Sequence, residues 1–191
     1  MASKSKLFVF SAPSGSGKTT IVREILKYYP DFKFSVSATT RKKRRSEVDS
    51  IDYYFISEED FKRKIDNNEF VEWEKFYDYY YGTLKSVIDD NNSNGLNTVF
   101  EVDVKGALSI KKAYPNSVLI FIAPPSIEEL KKRLLNRNTE TEVDFKKRIE
   151  RAEMELSFKE KFDYVVSNID LDYAKKEVKK IIENELTKED K

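Results

Sequence analysis

The stretch SAPSGSGKTT, Ser11–Thr20, constrains the fold more than any other part of the chain. It follows a short, continuously apolar run, Leu7–Phe10, that reads as a parallel strand buried on both faces. From Lys18 the apolar spacing changes: Ile21, Val22, Ile25, Leu26 and Tyr29 share one helical face, and Pro30 ends it. Strand, glycine-containing loop and helix, in that order, turn successive backbone N–H groups inward at a helix N-terminus, where they and the helix dipole bind phosphate. Ala12-Pro13-Ser14-Gly15-Ser16-Gly17-Lys18-Thr19 fits the pattern G-x-x-x-x-G-K-[ST] at every position but the first. Gly17 comes closest to phosphate. The first position only makes the exit from the strand, which alanine can do at negative φ. Lys18 puts a positive charge near the β- and γ-phosphates, and the Thr19 hydroxyl ligates Mg²⁺. The loop through Thr20 is therefore expected to bind ATP or a similar nucleotide with Mg²⁺.

Further along, Thr98–Val102, Val118–Ile122 and Tyr164–Val166 read as core strands. Helical patterns follow them at Gly106–Ala113, Ser126–Leu135 and Asp172–Leu186. Strand alternating with helix implies an α/β fold, a parallel sheet with helices on both faces. Residues 33–89 break the rhythm: β-like pieces FKFSVSAT, DYYF and FVEWEKF surround a helix near Glu58–Asn67, as in a small α+β insertion. Asn91–Gly95 reads as a turn or loop that closes it. Residues 136–157 form a second irregular, highly charged piece, where Thr139 with Glu142 resembles a capping box opening a helix.

Composition excludes several chemistries. With no cysteine and no histidine, the chain has no disulfide, thiolate or imidazole chemistry. The formal charge of +1 gives no general pull toward nucleic acid or a membrane surface. Five consecutive basic residues, Arg41–Arg45, could mark a nucleic-acid patch, but Glu47, Asp49 and Asp52 beside them favour a solvated loop. The polar start MASKSK and the brevity of LFVF argue against a signal peptide, and no stretch reaches membrane-spanning length, so a cytoplasmic protein is expected. The N-K-x-D motif of a GTPase is missing. Asp103-Val104-Lys105-Gly106 matches D-x-x-G after a core strand; it is either a plain strand-ending turn or an acidic group placed to orient Mg²⁺ or its waters.

The pieces SAPSGSGKTT, FSVSATTR with Arg44, DYYF, EFVEW, YYGT, FEVDVKG, FIAPPS, RNTETE and SNIDLD occur in an order and at spacings that together resemble the guanylate kinase family, over essentially the whole chain. The resemblance implies ATP-dependent phosphorylation of GMP and dGMP. It implies a P-loop kinase fold with a core (1–32, 90–135 and 158–191), a GMP-binding subdomain (33–89) and a helical lid (136–157). It implies that Arg41, Arg44, Tyr53 and Tyr81 hold the GMP phosphate, that Ser37, Glu72 and Thr83 face guanine, and that Glu101 and Asp103 complete the acceptor site. Asp103 would also reach the metal through water, alongside Thr19. Guanine presents N1–H and N2–H₂ donors that a carboxylate accepts, whereas adenine would leave Glu72 unpaired. Taken alone, Glu72 between Val71 and Trp73 reads as the solvent face of a strand; the surrounding motifs reverse that.

An acceptor phosphate is already a nucleophile, so catalysis reduces to positioning two anions under cationic screening. By the resemblance, Lys18 and Arg44 are joined by Arg137 and Arg148 from the lid, with Arg133 a further candidate; Arg151 is read as pairing with glutamates on a solvated helix face. Arg137, Asn138, Asn168 and Asp170 would border adenine. The chain departs from the family at Ala12, at Lys105 where glutamine is common, and at Glu101 where some members have aspartate. Two alternatives stand beside this reading. A guanylate-kinase-like binding module would characteristically lack an intact phosphate loop, and a kinase for another base fits Ser37, Glu72 and Thr83 poorly. The state of oligomerisation is open.

Overall fold

Leu7–Ser11 forms β1, buried along its whole length, because a strand at the centre of a parallel sheet has no solvent face. The computed structural model describes residues 5–76, 78–135 and 142–188 of the chain. β1 lies between β7 (Thr98–Glu101) and β8 (Val118–Ala123), with β2 (Lys33–Phe34) and β9 (Tyr164–Ser167) at the edges, all parallel. Alternation along β1 sends Phe8 and Phe10 to one face, against Ile21, Val22 and Ile25 of α1 (Lys18–Tyr28) and Ala174, Val178 and Ile182 of α7 (Leu171–Thr187). Leu7 and Val9 go to the other face, against Ile88 of α3 (Lys85–Ser93) and Val104, Ala107 and Ile110 of α4 (Val104–Ala113). Each fully buried phenylalanine here contributes roughly 1.5–3 kcal/mol.

A second sheet, β4 (Tyr54–Phe55), β3 (Ala38–Thr39), β6 (Tyr79–Leu84) and β5 (Phe70–Phe76) in spatial order, sits between β2 and α3 in the chain. Its separate core is Ala38, Phe61 of α2 (Glu58–Asp66) and Phe70, with Phe61 and Phe70 stacked at 4.4 Å. Ser57 starts α2 by accepting from the Asp60 N–H, and three acidic residues in the first turn suit the helix dipole.

The α/β expectation holds, with differences in detail. The segment FKFSVSAT is split: Lys33–Phe34 extends the parallel sheet and Ala38–Thr39 belongs to the second. The turn expected at Asn91–Gly95 begins too early, since Asn91–Ser93 is the last turn of α3, and only Asn94 and Gly95 (φ 68°) leave the helix. β6 has no counterpart in the sequence reading. Remaining helices are α5 (Ile127–Leu135) and α6 (Glu142–Ser157). Thr139 of the proposed capping box lies outside the described residues. Among those residues no helix is long and apolar enough to cross a membrane.

Candidate active site

A cavity of about 500 Å³ opens beyond the C-terminal ends of β1 and β7, the place where parallel α/β sheets bind ligands. Ala12–Gly15 and Gly17–Thr20 form one wall; Ser16 is buried behind them. Gly17 starts α1 at φ 89°, and a Cβ there would collide with the Asn168 amide, so both backbone geometry and space demand glycine. The Asn168 amide donates to the Ser16 carbonyl at 2.7 Å and braces the loop from below. Ala12 is buried and has no positive φ, as the alanine at the first loop position requires.

Lys18 Nζ donates to the Val102 carbonyl at 3.0 Å and lies 4.0 Å from Glu101 Oε1. Burial pulls its pKa down, while Glu101, Glu155 and Asp103 hold it up, so the ammonium is placed among carboxylates at the base of the loop. The Thr19 hydroxyl donates to the Glu101 carboxylate. Magnesium keeps several waters and takes one or two carboxylates together with substrate phosphates. A hydroxyl and a carboxylate meeting at a phosphate loop fit that donor set, and among the described residues no group of three acidic side chains offers a rival.

The opposite wall comes from the second sheet and the residues that lead into it: Ser37 and Tyr53 just before β3 and β4, with Glu72, Glu74, Phe76 and Tyr81. An irregularity in the β5–β6 ladder between Phe70 and Glu72 sets Glu72 across from Thr83, which donates to it at 2.5 Å. Glu72, Glu74 and Phe76 alternate inward and line the cavity, and Trp73 between them is exposed. Burial pushes the Glu72 carboxyl up to about 7; Thr83 opposes this, and Asp103 and Glu74 add to it. The Glu72 and Asp103 carboxylates crowd Gly106 of α4, where a Cβ would come within 2.9 and 3.2 Å of them. Tyr53 and Tyr81 meet edge to face at 6.0 Å, and the Arg41 guanidinium lies 5.4 Å from the Tyr53 ring centre. Arg41 Nη1 and Nη2 donate to Glu47, at 3.0 and 2.7 Å, and this pair holds the Glu47 carboxyl down at about 2.

Several expected residues stand elsewhere or act differently. Arg44 is exposed on the loop, outside the cavity wall, with its backbone N–H bound to Glu47. Both Asp103 oxygens are engaged, one by the Gly106 N–H at 2.7 Å and one by Arg151 at 3.2 Å, so Glu101 is the carboxylate that meets Thr19. Asn168 is the loop's brace, and Asp170 caps α7 by accepting from the Tyr173 N–H; neither lines the cavity. Arg133 pairs with Glu129 at 3.1 Å on its own helix. Lys105 is exposed on α4, away from the cavity wall. Arg148 does reach the loop, donating to Ser14 Oγ at 3.5 Å. Arg137 and Asn138 lie outside the described residues. Arg151, read as a surface residue, is instead a cavity residue, bonded to Glu74, Asp103 and Glu155. Its place three residues after Arg148 was the signal, because residues i and i+3 share a helix face.

The family model described as guanylate kinase matches residues 4–185. A guanylate kinase of Thermotoga maritima is 45% identical over 185 residues, covering 97% of this chain and 89% of that protein. One from Caldanaerobacter subterraneus subsp. tengcongensis is 47% identical over 176 residues, covering 92% and 85%. The crystal structure of guanylate kinase from Anaplasma phagocytophilum superposes with a TM-score of 0.79 at 30% identity, covering 97% of this chain and 88% of that one. With loop, sheet order and sequence in agreement over nearly its whole length, the chain belongs to the guanylate kinase family.

Proposed function

We propose that the protein transfers the γ-phosphoryl group of ATP to GMP or dGMP, giving ADP and GDP or dGDP. The observation that carries this reading is one shared cavity with a phosphate loop on one wall and Glu72, bonded from behind by the buried Thr83, on the other. Guanine offers N1–H and N2–H₂ to the Glu72 carboxylate, and Ser37 and Thr83 complete the base pocket. Tyr53, Tyr81 and Arg41 flank the acceptor phosphate, for which Arg41 must exchange its bond to Glu47; Arg44 swings in from the exposed loop. Thr19 and Glu101 would hold Mg²⁺, which when bound would supply charge screening for the donor phosphates.

The acceptor phosphate has a second pKa of about 6 and is largely a dianion at neutral pH, so no general base is required. That suits a chain without histidine. The barrier is the approach of two anions, and Lys18 and Arg148, with Arg137 from the lid, supply the opposing charge. In this reading residues 33–89 are the acceptor unit, 136–157 the lid, and the rest the donor core. The function is cytoplasmic and needs neither nucleic acid nor membrane.

Coupled ADP release with ATP, Mg²⁺ and each of GMP, dGMP, AMP, UMP and TMP tests it. Turnover with GMP and dGMP well above the other three is expected. Equal use of AMP would overturn the base assignment. No acceptor-stimulated release from a protein that binds ATP would replace the kinase reading with that of a binding module.

A further inference from the structure

Three carboxylates and an aromatic face converge on Arg151 of α6, a guanidinium to which the phosphoryl-transfer reading gives no task. Its Nη2 donates to Glu74 at 2.9 Å and to Asp103 at 3.2 Å, and its Nε donates to Glu155 at 3.0 Å. The guanidinium carbon lies 4.3 Å from the centre of the Phe76 ring. Glu74 and Phe76 belong to β5, on the same inward face as Glu72. Asp103 lies just after β7 and caps α4. One turn earlier on α6, Arg148 touches the phosphate loop at Ser14. The helix thus grips the donor loop with one arginine and the acceptor hairpin with another.

The choice of residue fits a mechanical role better than a stabilising one. Clustered, partly buried ion pairs are a weak means of stabilising a fold, because the attraction is largely offset by lost hydration. Arginine's rigid fork can hold two carboxylates and stack on a ring at once, which fixes relative position; lysine cannot do this.

We propose that Arg151 is a positioning residue that makes donor and acceptor binding interdependent. The proposal rests on the kinase reading above. Acceptor binding settles β5 around Glu72; Glu74 and Phe76 pass that placement to Arg151, and α6 carries it to Arg148 over the phosphate loop. Linkage is reciprocal, so the donor tightens the acceptor by the same factor. Arg151 acts through β5 and Arg148, not on the reacting atoms.

Calorimetric titration of the full chain with the β,γ-imido analogue of ATP and Mg²⁺, with and without GMP, reads the coupling factor directly. A factor of at least about fivefold is expected in the unsubstituted protein. Arg151→Gln and Glu74→Gln should each bring it to within about twofold of unity, and the double variant should fall no further, as for two ends of one link. kcat should fall with the coupling, while the Kd of GMP alone moves less than about threefold. Arg151→Lys should restore the coupling in part. Retained coupling in Arg151→Gln, losses that add in the double variant, or a factor of one in the unsubstituted protein would each overturn the proposal. Glu74→Gln leaves the Arg151–Glu155 bond in place, so it probes the same link should Arg151→Gln fail to fold. Absence of GMP turnover in the unsubstituted chain would sink the kinase reading itself; GMP turnover with coupling untouched by the substitutions would sink only the role of Arg151.

Discussion

Replacing Glu72 by glutamine removes an ionisable group while keeping its shape and the oxygen that Thr83 bonds. The folded protein holds the Glu72 proton to about 7, against an ordinary 4.5, chiefly because the carboxyl is buried. That difference corresponds to about 3 kcal/mol at 1.36 kcal/mol per pH unit. The folded state binds the proton more tightly than the unfolded one, so the stability Glu72 contributes is complete below its unfolded pKa and is lost as pH rises through about 7. Glutamine mimics the protonated acid at every pH, though its extra amide donors need partners, which costs about 1 kcal/mol. The variant should therefore be more stable than the parent by about 1–3 kcal/mol at pH 8, a rise of roughly 3–9 °C in Tm for a chain of this size. At pH 5 most of the gain should be gone. Scanning calorimetry at the two pH values measures it. The reasoning fails if the variant melts at or below the parent at pH 8, or if the gain is as large at pH 5. The same substitution should raise the KM for GMP at least about tenfold, since it puts amide hydrogens against guanine donors. Stability gained and substrate lost at one residue would show that the carboxylate is held charged for binding, against the preference of the fold.

Lys18→Ala should lower kcat by about 10²–10³ with the fold intact by circular dichroism, because it removes a pre-placed charge from the transferring group; a loss under tenfold in the coupled assay would remove Lys18 from that role. Phe61→Ala deletes the fully buried ring at the centre of the second sheet's core and should cost about 3–5 kcal/mol there. Because that core is separate from the parallel sheet's, GMP turnover should collapse while the imido analogue of ATP still binds within about threefold of normal by calorimetry; equal loss of both would show a single cooperative core.

The donor half of the cavity was legible because its chemistry is written in consecutive residues. Gly17, Lys18 and Thr19 mean the same thing in any chain that surrounds them with a strand and a helix, and the loop lies where that grammar puts it. The acceptor half depends on pairing across strands. The tyrosines and threonine of Tyr79–Leu84 favour a strand but do not fix its partner, and the register of β6 is what delivers Thr83 to Glu72. Helix α3 escaped notice because its run of polar residues hides the single buried Ile88. Arg151 is hidden in the sequence for a related reason. A helix rich in arginine and glutamate reads as a solvated face, and only its apposition to β5 reveals the arginine as an interior link. Asn168 shows the converse: type and position were noticed, but its contact is with the underside of the loop.

Lys33 pairs with Thr98, so the chain leaves the edge of the parallel sheet and rejoins it on the adjacent strand. All of the second sheet lies between those two strands in the chain, and the strands themselves are neighbours about 4.8 Å apart. An excursion whose ends lie close together is well tolerated by its host. On the reading proposed above, base choice lies within that excursion, whereas the loop that handles the donor lies outside it.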